Sequence, residues 1–181
     1  MNIWAGLFHI VNAFVPDAVK TSYIVATFFS WYVVATGIIE LPSIRDTTII
    51  SVAEQAMKFY LYDSVYTIWF LPSSYYWFVI HHACSMYIGW FVLNGTFYNL
   101  REVGNWFFFI EVSNMFLAFK KQKLLIAVTY VPCRTVVLWY TTYKLIEVTP
   151  PHRSDLFVLY AALMIMSGYY SLKIIRRCIT I

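Results

Sequence analysis

Asp63, the adjacent pair His81 and His82, Glu111 and Arg134 each fall near the middle of a different membrane-length apolar segment. Placing such a group at mid-bilayer costs about 2.5–3.5 kcal/mol on insertion scales, so segments that keep one at a shared depth point to a polar site inside the membrane.

Each group has neighbours that define what it can do. In Tyr60-Leu61-Tyr62-Asp63-Ser64-Val65-Tyr66, helical spacing sets Tyr60 and Tyr66 on either side of Asp63, and their phenols are expected to bond the carboxylate or share its proton. The plainer alternative is a polar clamp between helices. His81 and His82 point about 100° apart on a helix and so do not share a metal, whose helical histidine pairs are spaced by four; no metal is expected. One imidazole is expected to face a cavity while the other bonds Asp63, Glu111 or a backbone carbonyl. Such a histidine serves as a general base or as a nucleophile that accepts an acyl group. Glu111 and Asn114 share a helix face and can hold each other or a ligand headgroup, and Arg134 adds a permanent cation with Tyr130 one turn before it.

The elements that position these residues are six apolar segments, at 22–39, 54–71, 74–93, 103–119, 124–146 and 155–175. The breaks between them are Pro42 with Arg45 and Asp46, Pro72-Ser73-Ser74, Asn94-Gly95, Lys120-Lys121-Gln122-Lys123 and Pro150-Pro151-His152-Arg153, where helices end and charges reach water. Of the 181 residues, 61% are hydrophobic and only 12% charged, against about 25% charged in a soluble domain, and mean hydropathy is +0.65. The expected fold is all-α, a polytopic transmembrane helix bundle with about six spans.

Residues 1–21 are apolar but short for a span. They are expected to form an interfacial helix ended by Pro16-Asp17, with cleavage or a tilted seventh span as alternatives. Residues 22–177 then form the membrane domain, and 178–181 a short tail. With six spans, Lys20, Lys120, Lys121, Lys123, Lys173, Arg176 and Arg177 share one side, and Arg45, Lys58, Arg101, Lys144 and Arg153 the other, which favours cytosolic termini. The Asn94-Gly95-Thr96 sequon would then face the lumen, close to the membrane. The formal charge of +4 fits cytosolic flanks on anionic headgroups and not nucleic-acid binding. Cys84 and Cys133 read as packing residues, and Cys178 beside Arg176-Arg177 as a site where palmitoylation is conceivable.

Tyr60-x-Tyr62-Asp63, His81-His82, and Glu111-x-Ser113-Asn114-x-Phe116 followed by Arg134 together resemble a TLC (TRAM, LAG and CLN homology) domain over roughly residues 22–177. The resemblance implies a bundle of about six spans around a central lipid-accessible cavity, in an endomembrane such as the endoplasmic reticulum. Ceramide synthases of that family use paired histidines to pass a fatty acyl group from acyl-CoA to a sphingoid base. Their acidic motif resembles His-Asp-x-x-Asp followed by Leu-Glu-x-x-Lys. With its lysine set on Lys120, this chain has Phe109, Ile110, Ser113 and Leu117 where His, Asp, Asp and Glu stand. The Glu111-x-Ser113-Asn114 form is closer to TLC-domain-containing proteins of lipid homeostasis.

Two functions are therefore expected. The first is binding or handling of membrane lipids, with Tyr60, Tyr62, Tyr66, Glu111, Ser113, Asn114 and Arg134 contacting the ligand and no cofactor. The second is an acyl-CoA-dependent N-acyltransferase, with acyl-CoA as co-substrate and His81, His82 and Asp63 as its catalytic residues. A channel or transporter is disfavoured, since the chain has no evident inverted repeat and Pro132 is the nearest approach to a broken span.

Overall fold

The computed structural model describes residues 2–40, 46–95, 100–116, 118–119 and 123–179, without the side chains of 38–40, 107 and 177–179. Pro42, Arg45, Thr96, Leu117, the Lys120-Lys121-Gln122 run and the Cys178 thiol lie outside what is described.

The described chain is all-helical, with α1 Ile3–Phe14, α2 Ala18–Glu40, α3 Asp46–Phe70, α4 Tyr76–Leu93, α5 Leu100–Asn114, α6 Lys123–Val148 and α7 Ser154–Ile179. Helices stand where all six apolar segments were expected. Three of them, over Ala18–Gly37, Lys123–Val148 and Ser154–Arg176, are long and apolar enough to cross a membrane. Two boundaries differ from expectation. α3 is already helical at Asp46, and the residues up to Glu54 continue it. α5 ends at Asn114, before Phe119, as the Asn114 side chain turns back onto Glu111.

Local sequence accounts for the ends. The Asn2 side chain accepts the Trp4 N–H at 3.0 Å to start α1, and the Asp17 carboxylate accepts the Lys20 N–H at 3.1 Å to start α2. Pro16 separates the two, because the residue before a proline is driven from helical geometry. α4 ends at Asn94 and Gly95, whose φ of 65° suits glycine. Pro132 lies inside α6, where it cannot donate to the carbonyl of Val128. The next residues, Cys133–Val137, form a π-helical turn.

α2 packs on α3, α3 on α4, α4 on α7, α7 on α6, α6 on α5, and α5 returns to α2, closing a ring of six helices with α3 and α5 also touching. The N-terminal segment forms the expected helix, and α1 lies on α2 and α3 with Trp4 and Phe8 buried. Its 12 residues reach about 18 Å, short of the roughly 30 Å hydrocarbon core, so it is no independent span. Trp4 stands edge-on to Phe29 at 5.2 Å and Phe59 at 5.7 Å, and those two rings stack at 4.2 Å. Hydroxyls from α3 anchor α1 further: Tyr62 meets His9 Nε2 at 3.1 Å and Tyr66 donates to Asn12 at 3.0 Å.

The outside of the ring is apolar. Trp69 is 78% exposed, Leu124 77%, Val136 70% and Ile165 73%, and Leu61, Ile68, Trp77, Trp139 and Val158 also face outward. Apolar surface on this scale is what a bilayer covers.

Candidate functional site

Within an otherwise apolar core the ring encloses a cluster of polar groups. Asp63, His82, Glu111, Ser113 and Arg134 are all buried, and every helix of the ring supplies side chains to one array.

One half is built on α2, α3 and α4. The Ser22 hydroxyl donates to Asp63 Oδ1 at 3.1 Å, and His82 Nδ1 approaches Asp63 Oδ2 at 3.6 Å and Ser64 Oγ at 3.4 Å. The 3.6 Å approach is too long for a hydrogen bond and close enough for electrostatic attraction. His81, turned by one helical step, is only half-buried, and no hydrogen bond reaches its ring among the described residues. Within the pair, His82 faces Asp63 without bonding it, and the ring of His81 meets that of His82 at 5.6 Å between centroids. The groove found between α2, α3 and α5 lies apart from His81. It is lined by Val33, Gly37, Ile49, Val52, Gly104 and Phe108 and holds none of the polar array.

The other half is built on α2, α3, α5, α6 and α7. Glu111 accepts from Ser30 at 2.6 Å, Tyr60 at 2.9 Å and Asn114 at 3.2 Å. Asn114 turns its carbonyl oxygen to the Arg134 guanidinium at 3.1 Å, so one amide joins the anion to the cation. Arg134 also donates from Nε to Ser113 at 2.6 Å, and from its terminal nitrogens to Ser167 at 3.4 Å and the Ile110 carbonyl at 3.5 Å. Tyr130, one turn before it, lies with its ring 5.3 Å from the guanidinium carbon, and the Ser113 hydroxyl itself donates to the Ile110 carbonyl. The π-helical turn after Pro132 is the segment that carries Arg134 inward.

Tyr60 couples the halves. Its ring stacks on His82 with centroids 4.9 Å apart while its hydroxyl holds Glu111. This corrects the expected partner of the tyrosines, because neither Tyr60 nor Tyr66 bonds Asp63. A phenol hydroxyl lies too far from its own helix to return to a short carboxylate one turn away. Tyr60 reaches α5 instead, Tyr66 reaches Asn12 on α1, and Tyr62 reaches His9. Tyr62 and Tyr66 therefore serve the α1 contact and not the central array.

Ser22, Ser30, Ser64 and Ser167 belong to the array and were not singled out from sequence. Ser22, Ala26 and Ser30 recur every four residues along α2, and Ser167 and Ser171 share that spacing on α7. Small polar residues at helical period in apolar segments are the signal that could have found them. Among the described residues no group of His, Cys, Asp and Glu is arranged to hold a metal ion.

Compared with protein-family models, curated proteins and solved structures, the chain matches none.

Proposed function

We propose that this chain is a multi-pass membrane protein, of TLC-domain type in its Glu111-x-Ser113-Asn114 form, that binds lipids at the polar centre and thereby influences membrane lipid composition. The observation that carries the reading is the placement of polarity: all six helices of the ring give buried polar side chains to its centre, in hydrogen-bonded groups brought together by the Tyr60–His82 ring stack, while the outer surface is apolar. A soluble domain has no use for that arrangement, and a lipid does, since its chains take the apolar surface and its polar group needs partners at depth.

In this reading α2 to α7 all cross the bilayer. α3 and α5 carry Asp63 and Glu111 among other charges, and partners inside the ring offset the burial of those two groups. In this reading the lipid reaches the centre past the half-buried His81. Both termini face the cytosol, the membrane is the endoplasmic reticulum or a related endomembrane, and the partners are membrane lipids with no nucleic acid.

The test is mass spectrometry of lipid that copurifies with the chain in mild detergent. Wild type and Asp17→Asn should retain it, and Asp63→Leu should lose most of it while keeping its helical content. Equal retention by both variants would remove Asp63, and with it the central site, from lipid binding.

An acyltransferase is the second reading, favoured by His82 beside Asp63 with His81 unengaged. The unprotonated imidazole of His81 would attack the thioester of acyl-CoA, forming an acyl-imidazole and releasing CoA thiol. A lipid amine would then take the acyl group, and the proton the amine loses would go to the ring nitrogen that the acyl group leaves, restoring the neutral imidazole of His81. Long-chain acyl-CoA should leave an adduct of acyl mass that disappears when His81 and His82 are both changed to Ala. The absence of any adduct across chain lengths, with lipid still copurifying, leaves binding alone.

A further inference from the structure

Arg134 is 4% exposed, yet every group it bonds is neutral: two serine hydroxyls, one carboxamide oxygen and one backbone carbonyl. Glu111 offsets its charge across Asn114 but occupies none of its N–H groups. A guanidinium has five such hydrogens, and buried ones are normally matched to carboxylate or phosphate oxygens in pairs. Here the outer nitrogen Nη1 makes a single bond, to Ser167 at the long distance of 3.4 Å, and its second hydrogen meets no acceptor among the described residues.

An independent feature lies on the same side. Ser171 is 2% exposed and its hydroxyl has no hydrogen-bond partner among the described residues. It follows Ser167 by one helical turn, so the two hydroxyls lie along one face of α7, the face that meets Arg134. An unmatched donor of this kind is costly in an apolar surrounding and is usually explained by a missing partner.

We propose that Arg134, Ser167 and Ser171 form a subsite for an oxyanion, the carboxylate or phosphate of a single lipid whose chain lies along the apolar outer faces of α6 and α7. One oxygen takes the free Nη1 hydrogen in place of the long Ser167 contact. A second accepts from Ser171. Leu172, exposed beside Ser171, is the point at which the chain leaves the subsite for the outer surface. The subsite rests on the lipid-binding reading and adds which polar group is recognised and where.

The experiment titrates the full chain in neutral detergent with three probes of one chain length: oleic acid at a pH where its carboxylate is ionised, oleoyl lysophosphatidic acid, and oleyl alcohol. The intrinsic tryptophan fluorescence reports binding. At least one anionic probe should bind about tenfold or more tightly than the alcohol, as a charge-assisted hydrogen bond requires. Preference for oleate alone assigns a fatty-acid carboxylate, and preference for the phosphate probe alone assigns a phosphate headgroup. Arg134→Gln should bring the anions to the affinity of the alcohol. Should that variant not fold, Ser171→Ala, which only removes an unmatched hydroxyl, should still cut anion affinity severalfold and leave the alcohol unchanged. Equal binding of all three probes, or an anion affinity undiminished by Ser171→Ala, overturns the subsite and leaves lipid binding standing. Failure of every probe to bind, with no copurifying lipid, overturns the underlying reading as well.

Discussion

Asn114 is held in one orientation by opposite charges on its two ends, and swapping the acid and the amide between positions 111 and 114 tests whether the array is real. Its Nδ2 donates to Glu111 Oε2 at 3.2 Å and its Oδ1 accepts from Arg134 at 3.1 Å, so the amide cannot flip without turning donors on the guanidinium. Glu111→Gln puts an NH2 opposite the Asn114 NH2 and removes the acceptor that Ser30 reaches at 2.6 Å. Losing a bond to a charged group and leaving a buried donor unmatched should cost about 2–4 kcal/mol. Asn114→Asp alone opposes two carboxylates at that distance and should be of similar cost. The double variant repairs both faults. The introduced aspartate pairs with Arg134 and accepts from the introduced glutamine amide. The oxygen of that amide keeps Tyr60, and Ser30 turns its proton to the Ala26 carbonyl already 2.9 Å away. Thermal unfolding in detergent should show each single variant lowered by about 5–15 °C, at roughly 2–4 °C per kcal/mol, and the double variant recovering at least half of the loss. Additive losses in the double variant would refute the bridging role of Asn114.

Other substitutions probe the elements around the array. A Cβ at Gly37 would lie 2.4 Å from the Phe108 ring, whereas one at Gly168 meets nothing within 4 Å; Gly37→Ala should destabilise by about 1–3 kcal/mol and Gly168→Ala should stabilise α7 by about 0.5–1 kcal/mol, both read from thermal unfolding. The Trp4 indole N–H is buried with no acceptor among the described residues, so Trp4→Phe should cost less than about 1 kcal/mol where Trp4→Ala costs about 3–5, a contrast that unfolding midpoints resolve. The Asp17 carboxyl is held below its ordinary value, chiefly by the backbone N–H of Lys20. Its stabilisation is therefore present above the unfolded-state value and lost as pH falls through the folded one. Asp17→Ala should lower the midpoint at neutral pH and approach wild type in acid, while Asp17→Asn, which keeps a capping oxygen without the charge, should lose less at neutral pH and converge with wild type in acid as well.

The sequence made helices and breaks legible because both are local. Pro16, Pro72, Pro150 and the Asn94-Gly95 pair stand where helices end, and a long apolar run has few alternatives to helix. The polar residues of the centre were legible for a related reason, since charge inside an apolar segment is costly enough to need company. Their pairing was not legible. Tyr60 stands beside Asp63 in the chain and bonds Glu111 across the ring, because the length of a phenol side chain, and not its sequence distance, decides what its hydroxyl touches. Ser22 and Ser30 were hidden because a serine is cheap in an apolar helix and carries no signal until its partner is known. Pro132 signalled a disturbance in α6, but that the helix answers with a π turn bearing Arg134 depends on the neighbours that receive the guanidinium. α1 was legible as a helix, while its seat on α3 rests on His9 and Asn12 finding Tyr62 and Tyr66.

Photocrosslinking with a lipid that carries a diazirine beside its headgroup tests the central claim most directly. After irradiation of the purified chain, peptide mass spectrometry should place the label on residues that border the array, His81 on α4 and the Ser167 to Ser171 face of α7, and Asp63→Leu should diminish it. Label confined to outward residues such as Trp69, Leu124 and Trp139, and unchanged by Asp63→Leu, would mean that lipid only surrounds the bundle and that the polar array serves the fold alone.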